Sequence, residues 1–181
     1  MKGNESMNGI VIYRSKYGAA RKYAQWIAER TGFVLKDIVD VRQKDILEAE
    51  NVVVGFGVYA SQLPGVNFLS RNHKDLIGKR VFIYACGATP YDEDYVRTLH
   101  DNSLTGPLEP LPLFYMRGAF DINSMSFMDR QMCRMLIGAV RRKEPSDREP
   151  WEKALLEAGD RPKDWTSEEQ LEELLEAIGI E

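Results

Sequence analysis

The eight residues after the first apolar run include the types needed to bind a phosphate. Gly9-Ile10-Val11-Ile12-Tyr13 leads directly into Arg14-Ser15-Lys16-Tyr17-Gly18-Ala19-Ala20-Arg21, and a helical pattern follows without a break. A helix that starts at the carboxyl end of a buried strand presents free backbone N–H groups and the positive end of its dipole, both suited to an anion. Ser15 adds a hydroxyl, Gly18 allows close backbone approach, and Arg14, Lys16 and Arg21 add charge. An ordinary strand-to-helix turn is the competing reading of these residues alone.

Other candidate chemistry falls away. Gly55-Phe56-Gly57-Val58-Tyr59-Ala60 matches a dinucleotide fingerprint, but that fingerprint opens a helix after the first strand of its unit, and here Pro64 interrupts. A phosphoacceptor domain needs acidic residues at the ends of the first and third strands, where this chain has Arg14-Ser15 and Gly55. His73 and His100 form no metal-ligand spacing, and no nucleophile–base pair specifies a hydrolase. Cys86 and Cys133 stand far apart and suit a reducing compartment.

The elements that position the loop alternate along the chain. Apolar β-branched runs at 9–13, 33–37, 51–54, 80–85 and 110–116 predict five strands, the last at a sheet edge because of Pro110 and Pro112. Helical periodicity predicts helices over 19–30, 64–77, 92–102, 124–140 and 167–178, the last with a capping box from Ser167 to Gln170. Such alternation implies right-handed crossovers and a parallel sheet covered on both faces. Residues 1–8 read as a disordered leader, 9–143 as the domain, and 144–181 as a linker with a final helix packed on the same domain. The charged, Pro-containing stretch 141–166 reads as surface linker.

Length suits one domain. A net charge of −4 argues against nucleic acid as the main partner. No apolar run reaches the roughly 18 residues of a membrane span, and the start of the chain lacks a secretory h-region, so a cytoplasmic protein is expected, with peripheral membrane contact open.

The loop Ser15-Lys16-Tyr17-Gly18-Ala19-Ala20 resembles the phosphate loop of the flavodoxin family, [ST]-x-x-G-x-[TA]. That resemblance implies a doubly wound, five-stranded parallel sheet in the order 2-1-3-4-5, in three α/β/α layers. It also implies FMN as cofactor. Most members have Thr or Ser where this chain has Ala20, a loss of one hydrogen bond of roughly 1.5–3 kcal/mol to a charged group. By the same resemblance the loops after the third and fourth strands line the flavin ring. These supply Gly57, Val58, Tyr59 and Ala60, then Cys86, Gly87, Ala88, Thr89 and Tyr91, with Tyr59 or Tyr91 stacking on the ring. Cys86 reads better as a small buried thiol.

Gly118 and the step Met128-Asp129-Arg130 are similar to a flavodoxin branch containing menaquinone-dependent protoporphyrinogen oxidases. The chain departs from that branch in its short bridge Cys86–Tyr91, in Ala60-Ser61 where the branch has Tyr-Gly, and beyond residue 143. The expectation is an FMN oxidoreductase with a quinone or a redox protein as partner. A small electron carrier and an FMN-free interaction module are the alternatives. Met125, Met128, Met132, Met135, Leu136 and Ala139 form a stripe on the helix 124–140, read first as the last core helix of the sheet and second as a face toward a membrane or quinone.

Overall fold

The computed structural model describes residues 8–59, 61–159 and 161–180. Most of the proposed leader and Ala60 therefore lie outside the described residues. The order is β1 (Gly9–Arg14), α1 (Ala19–Thr31), β2 (Val34–Asp37), α2 (Gln43–Glu48), β3 (Asn51–Gly57), α3 (Asn67–Leu76), β4 (Arg80–Gly87), α4 (Glu93–Ser103), β5 (Leu113–Arg117), β6 (Ala119–Phe120), α5 (Phe127–Arg141), α6 (Pro150–Ala158), β7 (Lys163–Asp164) and α7 (Glu172–Ile178).

Five parallel strands pair in the order β2-β1-β3-β4-β5, as the alternation and the resemblance require. Successive side chains of a strand point to opposite faces, and the apolar runs fill both. Ile10, Ile12, Val52, Val54, Ile83 and Ala85 pack on one side with Ile46, Leu69, Leu99 and Leu104 of α2, α3, α4 and the turn after α4. Val11, Val53, Phe82, Tyr84 and Cys86 pack on the other with Tyr23, Ala24 and Ile27 of α1. Tyr84 crosses the sheet under Gly55, where a Cβ would lie 1.8 Å from its ring. Its hydroxyl donates to the Ala20 carbonyl at 2.7 Å, fixing α1 to β4.

Several boundaries differ from the sequence reading. The fifth strand starts after Pro112, which has no N–H to give to the ladder although its carbonyl accepts from Ile83 N–H at 3.2 Å. The third helix begins at Asn67, three residues later than expected, behind a turn at Gly65 with φ +108°. Gln170 does not close a box with Ser167; its carboxamide instead accepts from Arg117 N–H and donates to the Trp165 carbonyl. The stretch read as linker holds α6 and also β7, which pairs antiparallel with β6.

The largest correction concerns the methionine stripe. α5 is not the last core helix of the sheet. Leu171, Leu174, Leu175 and Ile178, from α7 and the turn before it, cover the sheet face beside α1. α5 turns only Cys133, Ile137 and Val140 inward, with Ile137 in a small separate cluster that includes Ile122, Trp151 and Leu155. Both helices carry an apolar stripe, and the one packed on the sheet is that of α7, whose buried side chains are all aliphatic.

Candidate functional site

The carboxyl ends of β1, β3 and β4 meet the amino end of α1, the place where open α/β sheets bind ligands. Gly18 is the residue before α1 and takes φ +97°, a conformation that suits glycine, with open space where a Cβ would stand. Its N–H donates to Ser15 Oγ at 3.0 Å, which curls the loop back on itself. The first bond of the helical ladder is Lys22 N–H to the Gly18 carbonyl at 2.9 Å. The N–H groups of Ala19, Ala20 and Arg21 therefore sit at the helix mouth ahead of that ladder. Ala20 itself is buried against the sheet, so its backbone rather than its side chain faces the loop.

Lys16 Nζ and the Tyr17 hydroxyl both donate to Asp129 Oδ2 at the start of α5. The Lys16 ammonium, with Tyr17, holds the Asp129 carboxyl down to about 2, and the same contact raises Lys16 above its ordinary value. Lys16 also stands over the rings of Tyr17 and Tyr59, at 5.5 and 5.6 Å from their centres. Tyr17 and Tyr59 are tilted neighbours, 6.0 Å apart. Burial pushes the half-buried Tyr59 hydroxyl above its usual range.

The loop after β3 is tied by its own backbone. Val58 N–H donates to the Cys86 carbonyl (2.8 Å), while Tyr59 and Gln62 exchange bonds of 3.0 and 2.9 Å across a tight turn in which Ser61 has φ +57°. Gly57 lies just under the Tyr59 ring. Cys86 is buried and its thiol is pushed up to about 12 by burial, so it stays protonated at neutral pH. Beyond β4, the Ala88 carbonyl accepts from Arg117 Nε at 3.0 Å and the Thr89 carbonyl from the Tyr115 hydroxyl at 2.7 Å. Gly118 N–H donates to the Gly87 carbonyl at 2.7 Å.

The structure thus brings Ser15, Lys16, Tyr17, Gly18, Gly57 and Tyr59 together, with Val58, Cys86 and Gly87 at the strand ends beside them. Tyr91 is set apart. It is 66% exposed and borders a hollow of about 260 Å³ with Asp92 and with Pro150, Lys153 and Glu157 of α6. The places of two residues were not read from the sequence. Arg117 links the loop after β4 to Glu157 at 3.2 Å and stacks its guanidinium on Trp165, 3.9 Å from the ring centre. Asp129 was noticed only for its similarity to a family step, and its place at the loop has no local sequence signal.

These residues fit a nucleotide phosphate. A positive-φ glycine opens the helix mouth, and two side-chain donors already converge on an anion, a carboxylate of this chain. Among the described residues, no cluster of His, Cys, Asp and Glu could hold a metal ion.

A family model described as flavodoxin domain matches residues 10–147. The chain belongs to the flavodoxin domain family. Solved flavodoxin-like structures resemble it, all at low identity. A flavodoxin from the domain Archaea shares 16% identity, covering 71% of this chain and 92% of that one, with a TM-score of 0.40. A WrbA-like flavodoxin from Agrobacterium tumefaciens gives 18%, 71%, 91% and 0.42 for the same quantities. A putative flavoprotein from Bacteroides eggerthii gives 15%, 75%, 99% and 0.46. No curated protein matches the chain.

Proposed function

We propose that this flavodoxin domain binds FMN with its phosphate at the Ser15–Ala20 loop and its ring over the loops after β3 and β4, and that it transfers electrons through that flavin. The observation that supports this most is the helix mouth at Gly18, which follows β1 directly and faces Ser15, Lys16 and Tyr17. When bound, FMN supplies the redox chemistry, and the protein supplies position and electrostatics. The N–H groups of Ala19 to Arg21 and the α1 dipole bind the phosphate. Lys16 and Tyr17 exchange the Asp129 carboxylate for phosphate oxygens. Tyr59 gives the ring a flat wall, and the protonated Cys86 thiol beside it stays neutral.

Within this reading, the similarity at Gly118 and Met128-Asp129-Arg130 favours an oxidoreductase of the protoporphyrinogen oxidase type over a simple carrier. Asp129 stands beside the loop that would hold the cofactor, which supports a role for that step near the flavin. A quinone or a redox protein would then accept the electrons.

A visible absorption spectrum of the purified protein, followed by titration with FMN, tests the cofactor assignment. Oxidised flavin bands that persist after gel filtration are expected, and Ser15→Asp should remove them by setting a carboxylate against the phosphate. Flavin retained equally by Ser15→Asp would place the phosphate elsewhere. Steady turnover of protoporphyrinogen by the loaded protein separates enzyme from carrier.

A further inference from the structure

α5 carries an apolar stripe that nothing within the described chain covers. Phe127, Met128, Met132 and Met135 are 64–77% exposed, and Leu136 is 41% exposed. Their spacing of three and four residues sets Met128, Met132 and Met135 in one row, along a 15-residue helix about 22 Å long. Single exposed apolar residues are normal on a protein surface, but a contiguous row marks an interaction site.

The charge around the row says what kind of site. From Phe127 to Lys143 there are five basic residues against one acidic, in a chain whose net charge is −4. Asp129 is matched by Lys16, Arg130 turns in to the carbonyls of Asn123 and Met125, and Lys143 pairs with Glu152. Among the described residues Arg134, Arg141 and Arg142 have no acidic partner within 4 Å. A convex apolar row flanked by free arginines is the pattern of a helix lying in a lipid interface. A two-fold contact between copies would instead set the same arginines against each other.

We propose that the outer face of α5 docks on an anionic lipid bilayer, with the methionine row entering the acyl boundary and Arg134, Arg141 and Arg142 meeting headgroup phosphates. This goes beyond the flavin reading and does not depend on it. Because Asp129 starts the same helix and touches Lys16 and Tyr17, docking would hold the Ser15–Ala20 loop close to the membrane surface.

Vesicle flotation of the full chain tests the proposal, with phosphatidylcholine alone and with phosphatidylglycerol added. The protein should float only with the anionic vesicles and be released by high salt. Arg134→Gln and Arg141→Gln should each weaken binding about fivefold. Met132→Glu with Met135→Glu should abolish it while circular dichroism stays unchanged, since both side chains are exposed. Failure to float with anionic vesicles would overturn the proposal, as would flotation undiminished by the two glutamates. A dimer in sedimentation velocity that Met135→Glu dissolves would assign the face to a second copy, and binding only to an acidic protein would assign it to that class; either result also overturns it. None of these readouts involves flavin, so loss of the cofactor assignment and loss of this one are separable.

Discussion

α5 and α7 both follow the last strand of the main sheet and both carry apolar stripes, yet they have opposite fates. α7 places Leu174, Leu175 and Ile178 in full burial against the sheet beside α1. α5 is twice as long, carries more apolar residues, and leaves most of them in solvent. An amphipathic period shows that a helix has a face to cover, and not what covers it. Chain order is no guide either, since the helix that completes this sheet comes after a detour through α5, α6 and the β6–β7 pair.

The contrast makes graded predictions. Leu174→Ala should cost about 2–5 kcal/mol of unfolding free energy, read from urea denaturation, because it opens a cavity in the main core. Ile137→Ala, under α5, should cost about 2 kcal/mol at most and act locally. Hydrogen exchange should quicken in α5 and α6 and remain slow in α7. An equal global loss from both would erase the distinction between core and satellite.

Asp129 tests how α5 is tied down at its amino end. Lys16 and Tyr17 hold its carboxyl at about 2, below the ordinary carboxylate value. A lowered folded-state value means the contact stabilises fully above about pH 5 and is lost as the pH falls toward 2. The thermal midpoint of Asp129→Asn should therefore lie below that of the wild type near neutrality, and the gap should close on acidification. The same variant should bind FMN several-fold more tightly in a fluorescence titration, since Lys16 and Tyr17 no longer face a competing carboxylate. Smallest of all, Met135→Ala should change stability by less than about 0.5 kcal/mol.

Much of this was legible in the residues. The apolar runs at 9–13, 51–54 and 80–85 are buried on both faces and could hardly be anything but central strands. Gly18 after Ser15 marked the loop as a place where the backbone can approach a ligand closely, and the structure adds that it takes a positive φ costly for other residues. Three things were not legible. The contest between α5 and α7 is settled by tertiary packing rather than by either helix's own pattern. α6 was hidden by the charge and prolines of its surroundings, although Pro150 at its first turn is a favoured start. The meeting of Asp129 with Lys16 spans 113 residues, and nothing local to either position encodes it. Tyr91, chosen as one of two aromatic candidates, lies beside α6 while Tyr59 lies at the loop, a difference that no pattern of residue types displays.

The contact between Arg117 and Trp165 gives the molecule a built-in optical sensor. The guanidinium over the indole also binds the Ala88 carbonyl, so displacement of residues 88–91 must change the charge next to Trp165. With Trp26 and Trp151 replaced by phenylalanine, the emission of the remaining tryptophan would follow that segment in solution without any attached label.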